Sequence, residues 1–439
     1  MTILIVIVCI AILIILISWA KWNTFLSFLV VSLMAGWLLK MPPDKIVYSV
    51  KTGIGNVMGD LVVIICLGAM LGKIVAESGA AKKIADVSIS VFGKKHFSWA
   101  MMLTGFIVGI PLFYNVGFVL LVPLVFSITY KTGLPAVYTA LPMLAALSVT
   151  HGFLPPHPSP SAIAIQLHAD PGKVLLYGIL IAIPAMIVAG PVFAKTVKNI
   201  NPQTPTLFQP IQQLHNNQPG AANSFLSSLL PALLLVIVTI ILPIAKTDYP
   251  SSVSLLTFFG DPIIILLLSV LMASWSLGTC QGMSIKTVMN LYGESVKDVS
   301  MILLIVAGSG ALKQILVDSG VSSYLGEALK TLSLNPLLLG WLAAAVIRVC
   351  VGSATVAGLT AAGVIAPLIA ITGSNANLMV LSIGAGSLMF SHVNDSGFWM
   401  FKEYFNLTLK DTLRSWSVME TIVSVMGLIG VLLLEVFLK

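Results

Sequence analysis

Two short segments carry the residues whose chemistry could matter most. His151-Gly-Phe-Leu-Pro-Pro-His-Pro-Ser-Pro160 places two imidazoles among helix breakers, and Ser391-His-Val-Asn-Asp-Ser-Gly-Phe-Trp399 places an imidazole, an amide and a carboxylate together. His151 and His392 can each bind a hydroxyl or relay a proton. Asn394 adds an amide, and Asp395 is the carboxylate inside a break. An acid held among apolar residues is costly and points to function. A plainer role for Asp395 is to cap a half-helix. Asp395 and His392 are therefore the expected ion-coupling residues.

Two further interruptions offer a place to hold a solute. Pro111-Leu-Phe-Tyr-Asn-Val-Gly117 contributes Tyr114, Asn115 and Gly117, and Gly352-Ser-Ala-Thr-Val-Ala-Gly358 contributes Ser353 and Thr355. A broken helix aims free N–H groups at a solute, aided by about half a positive charge from the helix dipole. Serine and threonine add hydroxyls, and glycine lets backbone come close. The plain alternative is a packed kink. Arg348 lies about one turn before Gly352 and, as a permanent cation, needs an anion or water. It could receive a carboxylate or pin the carbonyls of the turn.

The elements around these residues belong in a membrane. The 439-residue chain is 58% hydrophobic and only 9% charged, where a soluble domain carries roughly 25% charge. Spanning-length apolar runs occupy Ile3–Trp19, Phe25–Leu39, Asn56–Ala76, Val174–Ala194, Phe225–Ala245, Pro262–Leu277, Val299–Leu316 and Thr421–Leu438. About 20 residues cross a bilayer core. The net charge of +7 is spread too thinly for a nucleic-acid surface. Cys9, Cys66, Cys280 and Cys350 have no paired spacing and read as small core residues. Asp60 and Asp298 read as interfacial, and Glu77 and Asp318 as solvated loop residues. Phosphate-binding glycine-lysine loops, zinc-type His-Glu-x-x-His and paired cysteines are absent from the sequence. The expectation is a non-enzyme with no cofactor.

The chain also repeats itself. Glu77-Ser-Gly79 matches Asp318-Ser-Gly320, and Thr150-His151 matches Ser391-His392, both at a shift of 241 (319 − 78; 392 − 151). The same shift carries Pro111–Gly117 onto Gly352–Gly358. The reading is a first repeat over 1–197, a polar linker over 198–223 and a second repeat over 224–439. The broken segments 97–130 and 337–372 each exceed thirty residues, too long for one kinked span, and read as re-entrant hairpins. The breaks at 151–160 and 391–399 interrupt later spans. Five crossings per half give about 10 transmembrane helices, and an odd number inverts the second half. With the N-terminus outside, fourteen Lys and Arg fall on the cytoplasmic side against eight outside, in the sense of the positive-inside rule.

Long motifs then give a resemblance. His151-Gly-Phe-Leu-Pro-Pro-His-Pro, Gly352-Ser-Ala-Thr-Val-Ala, Ser391-His-Val-Asn-Asp and Lys402-Glu-Tyr-Phe-Asn-Leu-Thr resemble the gluconate permease family. The resemblance covers essentially the whole chain. It implies an all-α polytopic secondary transporter of the cytoplasmic membrane, with paired hairpins and inverted repeats moving as an elevator. It further implies proton symport of gluconate or another small sugar acid, with lipid as surroundings and homo-oligomers common. D-serine or glycerate would be alternatives on the same fold; a passive channel or an intramembrane enzyme are remoter ones. Tip amides, Ser353, Thr355 and Arg348 would then hold the carboxylate, and His151, His392, Asn394 and Asp395 the hydroxyls or the proton. One departure is that Asn115 stands where the family usually carries an acid. Two others, Ser396 in Asn394-Asp-Ser-Gly397 and Ser159 in Pro155-Pro-His-Pro-Ser-Pro160, are conservative for a turn.

Overall fold

Helix-capping chemistry punctuates the chain throughout. In this computed structural model Asp170, Asp261, Ser284, Asn335 and Asn375 each accept a backbone N–H at a helix start, four of them with proline or asparagine close behind. The structure describes residues 2–438 except 94–95, 113, 115–116, 119–120, 123–124, 127–128, 130–132, 201–218, 249–252, 322–333 and 393–394. Among the described residues all regular structure is helical. Asn115, Asn394, most of the expected linker and most of the amphipathic stretch Val321–Leu332 lie outside them.

The helices that matter for the site, in chain order, are as follows. α1 is Thr2–Ile14, α2 Thr24–Leu38, α3 Pro43–Glu77, α4 Ala80–Phe92 and α5 Phe97–Gly109. α6 is Ala136–Phe153, α7 Pro158–Gln166, α8 Pro171–Ile187 and α9 Ala221–Asp248. α10 is Val253–Gly260, α11 Pro262–Ala273, α12 Ile285–Asp318, α13 Pro336–Val351 and α14 Ala354–Thr372. α15 is Ala376–Gly386, α16 Ser396–Tyr404, α17 Leu409–Thr412 and α18 Val418–Leu438. Among the described residues six stretches are long and apolar enough to cross a membrane, alongside several shorter apolar helices.

Several helices outrun the apolar runs that announced them. α3 and α12 each begin about four turns before Asn56 and Val299, because hydropathy marks only the part of a helix that hydrocarbon would surround. Asp60 and Asp298, expected at span ends, therefore lie inside α3 and α12. Asp298 and Glu294 both approach Lys73 across the α3–α12 contact, at 3.8 and 3.5 Å. Asp318 is exposed, as expected, but ends α12 and is partnered: it accepts from Ser49 of α3 at 2.6 Å and from Gln314 at 2.8 Å. Of the cysteines, Cys9 is buried, but Cys280 and Cys350 are exposed, so the core reading fails for those two. A small thiol costs little on an apolar outer surface.

α3 and α12 pack along their lengths at backbone distance. A methyl built on Gly53 would stand 2.3 Å from the Gly310 carbonyl oxygen, and one on Gly310 2.5 Å from that of Gly53. Small residues at crossings suit a bilayer, where close van der Waals contact and not hydrophobic exclusion drives association.

The span Ala136–Gln166, which contains the first break, lies at the centre of the molecule: 89% of its 18-residue apolar stretch is buried, against 22% for the closing span Leu409–Leu438. A helix that apolar and that enclosed is surrounded by protein, so the break within it does not face lipid. Its neighbour is α15, which leads into the second break. A methyl on Gly384 would stand 2.3 Å from the Gly152 carbonyl oxygen, and one on Gly152 2.6 Å from a Leu388 methyl. The chain ahead of each interruption thus meets the chain ahead of the other.

That contact sets a stability prediction. Gly384→Ala gains at most about 1 kcal/mol of helix propensity, but the obstacle is a backbone oxygen that cannot swing aside, and overpacking costs about 1–3 kcal/mol. Thermal unfolding in detergent should show a lower Tm for Gly384→Ala; an equal or higher Tm contradicts the close packing.

Candidate functional site: a buried ion pair between two helix breaks

α13 cannot continue past Val351 because Gly352 adopts a left-handed backbone, with φ +82°. Ser353 then opens α14, its hydroxyl accepting from the Val356 N–H at 3.4 Å. Two helices of 16 and 19 residues are thus joined by a two-residue turn and pack against each other. Ser353 and Thr355 at this turn are half-buried.

Arg348 sits one turn before the turn and is 4% exposed. Its Nη1 donates to the Gly352 carbonyl oxygen and its Nη2 to Asp395 Oδ2. Of the two roles open to it from sequence it takes the pinning of a turn carbonyl, and the carboxylate it holds is the protein's own Asp395 of the second break. Nε has no partner among the described residues. Asp395 in turn caps α16, accepting from the Gly397 N–H at 3.0 Å, and accepts from the Ser391 hydroxyl. Ser391 is held by Trp416 Nε1 at 2.7 Å, and its carbonyl accepts from Ser417. A continuous line of hydrogen bonds thus runs from the last span through the second break to the α13–α14 turn.

The imidazoles divide differently from the sequence repeat. His392 Nε2 donates to the Val349 carbonyl oxygen at 2.8 Å, fastening the second break to the end of α13. In the first half the comparable bond is made by His157, whose Nε2 donates to Gly109 at the end of α5, at 2.6 Å. His151, which the shift of 241 pairs with His392, lies against His157 (centroids 5.6 Å) and Tyr114 (6.2 Å). Its Nδ1 is buried with no partner among the described residues. The Tyr114 hydroxyl is in the same condition, and its ring stands edge-on to Trp416 at 5.8 Å. Gly117 packs against Leu147, where a methyl would stand 3.0 Å from Cδ2.

The structure therefore gathers Tyr114, His151, Arg348, His392 and Asp395 around the two breaks, with Ser353 beside them at the turn. Two contributors escaped sequence reading. Ser391 lay inside a motif but was assigned no task. Trp416, with Glu420 one turn beyond it, fell outside the span expected at Thr421–Leu438, whereas the helical stretch begins at Leu409. The available signal was a lone glutamate one turn beyond a tryptophan at the head of an apolar run. No group of three or more His, Cys, Asp or Glu is placed to hold a metal among the described residues. A cleft of about 460 Å3, lined by Pro155, Pro156, Ser161, His168, Asp261 and Leu266 among others, opens beside the first break.

Apolar helices, an enclosed broken span and a buried ion pair between two breaks define a polytopic membrane protein with a polar centre in its interior. Residues 1–437 match the family described as GntP family permease. The high-affinity gluconate transporter of Escherichia coli K12 is 46% identical over 94% of this chain and 95% of that protein. The Gnt-II system L-idonate transporter of the same organism is 44% identical over the full length of both. Among solved structures, the YdaH transporter of Alcanivorax borkumensis aligns with a TM-score of 0.67 over 94% of this chain and 97% of that one, at 16% identity, a likeness of fold. The chain belongs to the GntP permease family and is a membrane permease, not an enzyme.

Breaking the ion pair from one side should be severe. Arg348→Gln or Asp395→Asn leaves the other charge buried and uncompensated, which costs about 3–5 kcal/mol. The double variant Arg348→Gln/Asp395→Asn should recover part of the folded yield lost by each single change, read by size-exclusion profile and Tm. Additive losses in the double variant would show that the two groups do not depend on each other.

Proposed function

We propose that this permease is a secondary active transporter that imports gluconate or a closely related sugar acid across the cytoplasmic membrane by proton symport. The observation that carries the proposal is Arg348, a buried permanent cation at a helix break whose carboxylate partner is supplied by the protein itself. A substrate carboxylate is a chemical match for Asp395 and can take its place. Exchanging one carboxylate for another keeps the guanidinium satisfied throughout, and the displaced Asp395 keeps the Ser391 hydroxyl and the Gly397 N–H. Ser353, Thr355, Tyr114, Asn115 and Gly117 at the two tips would complete the receptor. His151, His392 and Asn394 would meet the hydroxyls.

Kinship supports the sugar-acid class, since relatives at 46% and 44% identity are named for gluconate and for L-idonate. The two named substrates share a carboxylate followed by a run of hydroxyls, which suits one cation surrounded by donors and acceptors. The matched bounds of α3 and α12, and of the α5 and α13 segments, support reading 1–197 and 224–439 as inverted repeats joined by a linker. On that reading the chain has about 10 transmembrane helices and two re-entrant hairpins. The hairpins and breaks then move as one body past the α3–α12 scaffold, as an elevator.

Proteoliposomes with an imposed proton gradient should accumulate labelled gluconate. Excess L-idonate should block the uptake, and excess D-serine should leave it intact. Arg348→Lys keeps the charge but loses the planar fork and should weaken uptake about tenfold or more. Displacement by D-serine in preference to L-idonate, or wild-type uptake by Arg348→Lys, contradicts the proposal.

A further inference from the structure

The closing span carries a second buried acid for which the ion pair has no use. Glu420 lies on α18 and is 2% exposed. The Ser148 hydroxyl of α6 donates to its Oε1, while Oε2 has no partner among the described residues. Among the described residues no lysine, arginine or histidine forms an ion pair with it. Asp395 is the contrast: it has a guanidinium, a hydroxyl and a backbone N–H. A carboxylate supported by one hydroxyl in a water-poor interior is expensive to keep charged, whereas a carboxylic acid is not.

Its position ties it to the site. Glu420 follows Trp416 by four residues, hence on the same helix face, and Trp416 touches both Tyr114 and Ser391. Ser148 precedes His151 by three residues on α6, again the same side. The charged and titratable groups facing this corner from the packed elements are Arg348 and Asp395, with Tyr114 and His151 beside them. Tyr114 and His151 each keep a buried polar atom without a partner among the described residues. Glu420 is therefore at the edge of the solute site without being part of the carboxylate receptor.

We propose that Glu420, supported by Ser148, is the proton-binding site of this transporter, separate from the Arg348–Asp395 pair that receives the solute. A proton taken from the outer solution adds to the Glu420 carboxylate and makes a neutral acid. The same proton leaves to the inner solution after the site has changed sides, and no bond of the solute is altered. Asp395 and His392, the ion-coupling residues expected from sequence, are instead engaged with Arg348 and with the Val349 carbonyl. The inference rests on the reading of the chain as a proton-driven sugar-acid carrier, and it extends that reading by naming the group that carries the ion.

Glu420→Gln, which mimics the neutral acid, tests it in proteoliposomes with labelled gluconate. Accumulation driven by a proton gradient should fall at least about tenfold, while gluconate exchange at equal pH on both sides persists. Asp395→Asn should lose exchange as well. Proton-driven accumulation by Glu420→Gln at the wild-type level overturns the assignment. So does loss of exchange together with accumulation in a folded Glu420→Gln, since that makes Glu420 part of solute binding. Wild-type protein that exchanges no gluconate refutes the sugar-acid reading instead. A pH-difference infrared spectrum of purified protein then decides the proton site alone: a carboxylic C=O band should be present in wild type and missing from Glu420→Gln, and an unchanged band overturns the proposal.

Discussion

A guanidinium cannot give up its proton, so wherever Arg348 is buried an anion must be buried with it. That constraint explains the local architecture around it. The Gly352 turn offers a carbonyl oxygen, the second break offers Asp395, and Ser391 and the Gly397 N–H divide the remaining lone pairs of that carboxylate. Trp416 and Ser417 then hold Ser391 from the closing span. Three separate segments of chain are joined through one cation. Two of them, the Gly352 turn and the second break, are places where a helix has stopped, so peptide groups that lipid could not satisfy find partners inside the protein.

The first half meets this centre through backbone contact. Gly152 and Gly384 allow the chains leading to the two breaks to touch, and His157 and His392 fasten those breaks to the ends of the helices that precede the tips. The resulting centre is buried in protein, with Arg348 4% and Asp395 9% exposed, which strengthens electrostatic forces relative to water. It also gives opposite fates to two acids a short distance apart. Asp395 is fully partnered, while Glu420 is held by a single hydroxyl.

Much of this was legible in the residues. Composition announced a membrane protein, prolines and glycines marked all four interruptions, and Arg348 and Asp395 stood out as ions in apolar surroundings. Their pairing was not legible, because 47 residues separate them and neither carries a mark of its partner. Hydropathy hid Glu420 for a physical reason: an apolar window ends at the first charge, so a buried acid near a helix end is trimmed away as interfacial. Repeat symmetry misled in one detail. It pairs His151 with His392, but the comparable hydrogen bond in the first half belongs to His157, because the proline-rich break turns that ring toward Gly109. The cysteines at 280 and 350 misled in another, since apolar neighbours in sequence do not distinguish an interior from a lipid-facing surface.

A high-resolution structure of the permease with gluconate bound tests the central claim most directly. The account predicts the gluconate carboxylate within hydrogen-bond distance of Arg348, with Asp395 displaced from the guanidinium. Gluconate bound elsewhere, with Arg348 still on Asp395, would contradict it.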